Sequence, residues 1–314
     1  MHTHVAASIK DPRLNQLAHE DRAFHDWYRF VLSFPPHLVR DYLDRFQADN
    51  TAIVLDPFSG TGTTLVECKK LGLASIGIEA NPMAHFASTV KLDWSADPDL
   101  LVAHAEQMAG QALSVLARQG IPDDVSMTEN QAEALASAGG LLTLPQDAFA
   151  LLLRNSISPL PLHKVLVLRA AIDEHFDPRF GDFERLALVR ATVGRFSNLH
   201  FGPEVGVRRP KADAEVVAPW LDHVRQMADD IRAHQAQAAT MARSHFGDSR
   251  DPGAFLAPGE INAVFTSPPY PNEKDYTRTT RLESVLLGFM SNKQDLRRLK
   301  KGLLRSNTRN AYVG

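Results

Sequence analysis

Residues 52–64 read AIVLDPFSGTGTT, an apolar run followed directly by a loop with two glycines. Apolar residues that end in an acid, Asp56, are typical of a buried strand in a parallel sheet. Gly60 and Gly62 allow the loop to bring its backbone amides against a ligand at the start of the next helix. A second strand-like run, residues 74–78, follows that helix. The βαβ unit predicts an open α/β sheet with its ligand at the carboxyl ends of the strands.

The acid that ends the second run, Glu79, is placed where a carboxylate can accept hydrogen bonds from both hydroxyls of a ribose. The loop lacks the third glycine of a dinucleotide fingerprint and the Gly-Lys-Ser/Thr of a nucleotide-phosphate loop, so neither NAD nor ATP fits well. S-adenosylmethionine fits better. Asp56 can accept from its ammonium group, and the Thr63 and Thr64 hydroxyls, with loop amides, can meet its carboxylate.

A second motif, TSPPY at residues 266–270, follows another apolar run at residues 261–265. An amino nitrogen conjugated with a ring is a poor nucleophile because its lone pair is delocalised. The Ser267 hydroxyl and the Pro268 carbonyl can accept hydrogen bonds from the two amino hydrogens and draw that lone pair out of the ring plane. Prolines hold these acceptors rigid, and Tyr270 offers a face for a base rotated out of the duplex.

Together, DPFSGTGTT and TSPPY resemble the cofactor and catalytic motifs of amino-methylating DNA methyltransferases, which methylate N4 of cytosine or N6 of adenine. The resemblance covers roughly residues 20–314 and implies a Rossmann-like sheet that uses S-adenosylmethionine. It implies a catalytic group of Ser267, Pro268, Pro269 and Tyr270. It also implies a cofactor-binding group of Asp56, Phe58, Gly60, Gly62, Thr63, Thr64, Glu79 and Asp248. Ser at the first catalytic position usually accompanies cytosine N4, and Asp usually accompanies adenine N6, so Ser267 favours cytosine.

Two implied assignments have a structural alternative. Asp248, in a Gly-Asp turn, would accept from the adenine amino group of the cofactor, or would serve as a loop or helix-capping aspartate. The segment Phe34-Pro35-Pro36 resembles the family segment beside the methionine end of the cofactor, but aromatic core packing explains it equally well.

The sequence divides into a cofactor-binding part at 1–92, a helical insertion at 93–244 and a part with the catalytic motif and a basic tail at 245–314. Within the insertion, helices are predicted over 100–118, 160–174 and 214–242, and the turn-rich stretch 197–211 is predicted to be an exposed loop. About four strands can be placed where a sheet of this family normally has seven. The sheet is therefore expected to be incomplete at its carboxyl-terminal side.

Composition limits the partners. One cysteine excludes an internal disulfide, and the histidines lack ligand spacing, so no metal is expected. The absence of a long apolar run and of a signal-peptide pattern favours the cytoplasm and no membrane. The net charge is −3, yet residues 274–309 hold ten Lys/Arg against three acids, a local charge of +7. This segment could contact DNA phosphates or form a solvated basic helix.

The sequence thus predicts a site-specific methyltransferase that acts on cytosine N4 in duplex DNA, with a restriction endonuclease as a possible partner. The alternatives are methylation of adenine N6, RNA or a protein amide, and a non-catalytic fragment that needs a partner chain. An unfinished sheet invites association, so a second polypeptide that completes it is a possible partner.

Overall fold

The computed structural model describes residues 17–28, 33–202, 205–269 and 275–304. Its strands are β1 (Ile53–Asp56), β2 (Ala74–Glu79), β3 (Leu199–Phe201), β4 (Val205–Val207), β5 (Ala242–Phe246) and β6 (Ala263–Val264). Four of them form a parallel sheet in the order β5-β2-β1-β6, while β3 and β4 form a separate antiparallel hairpin. The predicted class, an α/β chain with a Rossmann-like methyltransferase sheet and many helices, is confirmed.

The helices of the described residues are α1 (Pro36–Arg45), α2 (Thr63–Lys70), α3 (Pro82–Leu92), α4 (Pro98–Arg118), α5 (Glu129–Ala138), α6 (Gln146–Phe149), α7 (Pro159–Glu174), α8 (Gly181–Ala191), α9 (Val217–Ala233), α10 (Tyr276–Thr279), α11 (Arg281–Leu286) and α12 (Lys293–Gly302). A π-helical turn at Thr192–Phe196 follows α8. Each of these helices is too short or too polar to cross a membrane.

The βαβ unit forms where the sequence predicts it. Val54 is fully buried in β1, and β1 pairs with β2 in parallel register from Ile53 opposite Ala74. Gly60 and Gly62 adopt positive φ angles of 54° and 85°, which residues with a side chain rarely tolerate. The chain can therefore turn sharply after β1 and enter α2 at once.

The predicted helix over 214–242 is too long. Its α9 part ends at Ala233, and residues 242–246 form β5, which pairs with β2 up to Glu79 opposite Phe246. This strand escapes a search for apolar runs because its sequence, ARSHF, is mostly polar. Such a composition is tolerated because β5 is at the edge of the sheet and every residue in it keeps some solvent exposure.

The stretch 197–211 is not the exposed loop that its turn residues predict. It contains the β3-β4 hairpin, and Asn198 at its base is buried. The Asn198 side chain donates to the carbonyl oxygen of Asn155 at 2.9 Å and accepts from the amide of Lys211 at 2.9 Å. A buried amide bonded on both sides fixes the hairpin to the helical layer.

One hydrophobic cluster joins the helices beside the sheet to the long helices α4, α7, α8 and α9. Phe24 stacks on Trp94 with ring centroids 4.1 Å apart, and the Trp220 indole donates to the carbonyl oxygen of Glu184 at 3.0 Å. Asp230 of α9 accepts from the Phe24 amide and from the Trp27 indole, at 3.2 and 2.8 Å. The amino-terminal segment is thereby attached to a helix some two hundred residues downstream. The domain limits at 92 and 244 stay predictions.

Candidate active site

A pocket lies at the carboxyl edge of the sheet, and the loops after all four parallel strands line it. The loop after β1 supplies residues 58–61 and Thr63, β2 ends in Glu79, the loop after β5 supplies Asp248 and Ser249, and the loop after β6 supplies residues 267–269. These loops meet because β1 lies between β2 and β6, with all strands pointing the same way. The pocket is at the edge where open α/β sheets bind ligands.

The structure brings most of the predicted site residues together around this pocket. Those that line the pocket are Phe58, Gly60, Thr63, Glu79, Asp248, Ser267, Pro268 and Pro269. Asp56, Gly62 and Thr64 do not line it. Tyr270 lies outside the described residues.

Glu79, the last residue of β2, is an acid that lines the pocket. Its two carboxylate oxygens accept from the amides of Gly60 and Asn81, at 2.8 and 2.7 Å. Its burial raises the pKa of this carboxyl to about 7, against the opposing effect of these amide bonds. Its own carbonyl accepts from the Gly247 amide at 3.0 Å, next to Asp248. One residue therefore holds the glycine loop and the loop after β5 in place.

Asp56 points into the protein. Its fully buried carboxylate accepts from the hydroxyls of Thr64 and Thr266, both at 2.7 Å, and from the Phe58 amide at 3.1 Å. Burial raises the pKa of Asp56, while these hydrogen bonds oppose the rise. The sequence predicts that Asp56 accepts from the ammonium group of the cofactor, whereas in this orientation its carboxylate does not line the pocket. It joins the glycine loop to the residue before Ser267.

The two loop glycines are required for different reasons. A Cβ at Gly62 would lie 2.6 Å from the Ser88 hydroxyl oxygen, so Gly62 permits α2 to pack on α3. A Cβ at Gly60 would meet no atom within 4 Å, although its φ is positive. Of the two, only Gly60 lines the pocket, where its amide binds Glu79.

Asp248 lies at the pocket and also forms a local turn, while its predicted role toward the cofactor stays a prediction. It lines the pocket, and its carboxylate also accepts from the backbone amide and the guanidinium of Arg250, each at 2.9 Å. These hydrogen bonds lower the pKa of Asp248, so the group is an ionised acceptor at the pocket rim. Phe34 also lines the pocket, and its ring packs on Phe265 with centroids 5.6 Å apart.

Sequence reasoning missed several lining residues, among them Asn81, Tyr276 and the segment 302–304 that follows α12. Asn81 could have been found, because Asn before Pro two residues after a strand is typical of a helix N-cap. In the structure its side chain accepts from the amides of Met83 and Ala84 at the start of α3. The other two come from distant parts of the chain and have no local signal. Within the described residues, no group of His, Cys, Asp or Glu could hold a metal ion.

The sheet, the glycine loop facing Glu79 and the Ser-Pro-Pro turn on the neighbouring strand define a Rossmann-like methyltransferase fold. In agreement, a DNA methylase family matches residues 8–88. The chain is 25% identical over 302 residues to the Type II methyltransferase M.BsoBI of Geobacillus stearothermophilus, covering 93% of this chain and 58% of that protein. It thus spans little more than half the length of that relative.

Two shorter similarities agree with this class. The Type II methyltransferase M.MjaII of Methanocaldococcus jannaschii is 41% identical over 69 residues, which is 22% of this chain and 13% of that protein. M.AvaI of Nostoc is 29% identical over 66 residues, 21% of this chain and 14% of that protein. No solved structure matches the chain. These similarities support an amino-methyltransferase of the N4/N6 type.

The Asp56 bridge is testable by Thr266→Val, which removes one hydroxyl donor from a buried carboxylate. We expect the free energy of unfolding to fall by about 1–3 kcal/mol, as measured by urea denaturation. The matched control is Thr51→Val, where an exposed hydroxyl donates to exposed Asp49 at 2.6 Å. That change should have an effect of about 0.5 kcal/mol or less. Equal effects at both sites would contradict the bridging role.

Proposed function

We propose that this chain is a DNA methyltransferase that transfers a methyl group from S-adenosylmethionine to N4 of cytosine in duplex DNA. The observation that carries the proposal is the single pocket shared by the glycine loop, Glu79 and Ser267-Pro268. A cofactor bound at the glycine loop and Glu79 would have its reactive end in the same cavity as Ser267 and Pro268, which are the acceptors for the amino group of the base.

The residues of the pocket fit the cofactor. Glu79, held by two amides, is a rigid acceptor for the ribose hydroxyls, and Asp248 is an acceptor for the adenine amino group. Gly60 leaves open space beside the loop, where a larger residue would place a side chain. When bound, S-adenosylmethionine would supply an electrophilic methyl group on a sulfonium.

Ser267 and Pro268 would prepare the acceptor nitrogen. The serine hydroxyl and the proline carbonyl accept one amino hydrogen each, which draws the lone pair out of conjugation with the ring. The bond from this nitrogen to the methyl carbon would form as the bond from that carbon to the sulfonium sulfur breaks, which leaves a neutral thioether, and the nitrogen would release one proton to solvent. In this scheme, most of the rate enhancement comes from the positioning of the reacting groups. Asp56 binds both Thr266, next to the acceptors, and Thr64, next to the glycine loop, and so fixes the distance between them.

The choice of cytosine rests on Ser267, since Ser accompanies cytosine N4 in the resembling family. Adenine N6 is the second candidate, and the pocket geometry is compatible with either base. RNA, a protein amide and a non-catalytic fragment are further alternatives, to be separated by the products and by turnover of the purified chain.

The basic helix α12 supports duplex DNA as the substrate. It has no buried residue, and it carries Arg297, Arg298 and Lys301 on its surface. Its last residue, Gly302, lines the pocket. Cations beside the rim are well placed to neutralise phosphates that flank a rotated base. Similarity to Type II methyltransferases supports a restriction endonuclease for the same target as a partner.

The main test is Ser267→Ala. Loss of one acceptor aligned with the reacting group should lower kcat for methyl transfer by about 100-fold and change cofactor affinity by less than about twofold. The matched control is Ser249→Ala, which removes a hydroxyl from the β5 side of the same pocket and should preserve kcat.

Radiolabelled cofactor with duplex DNA measures turnover, and mass analysis of the digested nucleosides identifies the base. N4-methylcytosine is expected. Detection of N6-methyladenine would instead identify adenine as the target base. Cofactor binding without turnover would favour a non-catalytic fragment that needs a partner chain. A Ser267→Ala protein that lost cofactor affinity but kept kcat would show that Ser267 is misassigned.

Cofactor affinity should depend on pH through Glu79. Only the ionised carboxylate can accept from both ribose hydroxyls, and its pKa is about 7, so affinity should rise by up to about tenfold between pH 6 and pH 8. Glu79→Gln should weaken binding and abolish the pH dependence in calorimetry. Folding raises the pKa of Glu79, so this residue contributes to the free energy of unfolding most below pH 4.5, and the contribution is lost as the pH rises toward 7. Folding must therefore be verified at each pH.

A matched control for this titration is Glu283→Gln. Burial also raises the pKa of Glu283 to about 7, but this carboxyl accepts from the Tyr28 hydroxyl at 2.8 Å and does not line the pocket. This variant should keep the wild-type pH dependence. A flat wild-type profile, or a profile flattened by Glu283→Gln, would remove Glu79 from the cofactor site.

We also propose that a second polypeptide covers the outer edge of β6. Among the described residues no strand pairs with that edge, and exposed Val264 shares a surface groove with exposed Phe46. Unpaired strand edges with apolar neighbours promote association.

Without that partner, the chain should self-associate at micromolar concentration in sedimentation velocity, and Val264→Lys should reduce the association several-fold. Val125→Lys, at an exposed loop valine elsewhere, should leave it unchanged. A monodisperse, active wild-type monomer would refute the proposal.

A further inference from the structure

The β3-β4 hairpin carries an exposed arginine on a firmly held base. Asn198 is bonded through its backbone as well as its side chain: its amide donates to the carbonyl oxygen of Ser156 at 2.7 Å, and its carbonyl accepts from the amide of Arg208 at 2.8 Å. Arg208 directly follows β4, and its side chain is exposed. The backbone that presents this guanidinium to solvent is therefore fixed to the helical layer.

A second exposed arginine lies on the same surface. Arg195 belongs to the π-helical turn that precedes the hairpin. The ammonium of Lys211 donates to the carbonyl oxygens of Arg195 and of Ser197, the latter at 3.0 Å. Burial lowers the pKa of Lys211, and the nearby charge of Arg208 adds to this effect. Arg195 and Arg208 thus lie on either side of Lys211, and we call these three residues the hairpin patch.

The exposed arginines of the hairpin patch lack acidic partners. Within residues 17–28, 33–202, 205–269 and 275–304, no carboxylate forms an ion pair with Arg195 or Arg208. The neighbouring Arg209 is itself 88% exposed, and its guanidinium is 3.9 Å from Glu129. Cations held together without a compensating acid create a positive potential that attracts an anionic partner.

The hairpin is attached to an element of the active-site pocket. In β4, the carbonyl oxygen of Val205 accepts from the guanidinium of Arg278 in α10 at 3.4 Å. Asp275, the residue before α10, is paired with Lys300 of the basic helix α12 at 2.9 Å. Helix α10 is only about 6 Å long, and its first residue, Tyr276, lines the pocket. The hairpin and α12 are therefore attached to the same short helix beside the pocket.

Two basic surfaces joined by one short helix suit an extended anion better than a small one. The cations on the surface of α12 are Arg297, Arg298 and Lys301. A small anion could occupy either surface but not both. Duplex DNA carries one phosphate charge for about every 1.7 Å of its axis, so it can contact both surfaces at once. Phosphates next to a base that is rotated into the pocket must also lie close to its rim.

We propose that Arg195 and Arg208 bind phosphates of the duplex DNA backbone beside the pocket. The inference rests on the proposed function, because the duplex must present its target base to that pocket. Contacts to phosphates set the register and orientation of the protein on the duplex without reading its sequence. The segment between β2 and β5 thereby supplies part of the DNA-binding surface, through a hairpin that it holds rigidly.

The test measures the binding of a short fluorescein-labelled DNA duplex of arbitrary sequence by anisotropy at several salt concentrations. Arg195→Gln and Arg208→Gln should each reduce the slope of log K against log salt by about 0.9, and the double variant by about 1.8. Arg208→Lys keeps the charge and should restore most of the slope. Affinity for S-adenosylhomocysteine, measured by calorimetry, should stay within about twofold in all of these variants, because neither arginine lines the pocket.

The matched control is Arg232→Gln, which removes the same charge from an exposed arginine of α9. Arg232 is bound by Asp99 and Asp229, both at 2.7 Å, so its charge is already compensated. This change should leave the slope as in wild type. An unchanged slope in the double variant, or an equal reduction by Arg232→Gln, would overturn the proposal.

A measurement on the wild-type chain is decisive if the variants do not fold. Phenylglyoxal modifies accessible arginines, and mass analysis of peptides shows which ones react. The DNA duplex should protect Arg195 and Arg208 but not Arg232, and the absence of this difference would overturn the proposal. Stronger protection by duplex RNA than by DNA would identify RNA as the partner and would also overturn it.

The proposed function is tested separately by methyl transfer to DNA. Turnover that persists while the two arginines have no effect on the salt dependence overturns only the role of the hairpin patch. Duplex binding that depends on both arginines, but without turnover, supports the hairpin patch and counts against the proposed function.

Discussion

The buried carboxylate of Asp56 is the constraint on which the site depends. It accepts from Thr64 at the start of α2, from the Phe58 amide in the glycine loop and from Thr266 before the Ser-Pro-Pro turn. A buried acid without these donors would be costly, so the two motifs can pack only in an arrangement that supplies all of them. The distance between loop and turn is therefore set by a group that does not itself line the pocket.

The order of the strands determines what Asp56 can connect. With β1 between β2 and β6, its loop contacts Glu79 on one side through the Gly60 amide, and Asp56 at its end contacts Thr266 on the other side. Glu79 extends the connection to β5, because its backbone binds Gly247 while its carboxylate binds Gly60. Four loops that are far apart in the sequence are held together by two acids at neighbouring strand ends.

Local sequence patterns were sufficient to predict those parts of the fold that consist of one strand and the loop that follows it. The βαβ unit, Glu79 and the Ser-Pro-Pro turn could be predicted from apolar runs that end in loops with special residues. Strand β5 could not, because a polar edge strand gains its stability from pairing with β2 and not from its own composition. The hairpin around Asn198 was missed for a similar reason, since partners distant in sequence satisfy its buried amide. The orientation of Asp56 depends on packing between elements, which no single segment encodes.

The continuous core has a consequence for how this chain can be altered. Phe24 and Trp27 are attached to α9 through Asp230, and the long helices share one apolar cluster with α2 and α3, which flank the glycine loop. The helical layer is therefore not an interchangeable module that recombination could exchange while the sheet stays intact. The helical layer and the sheet should melt together in one cooperative transition. A change that destabilises the helical layer should therefore also unfold the pocket.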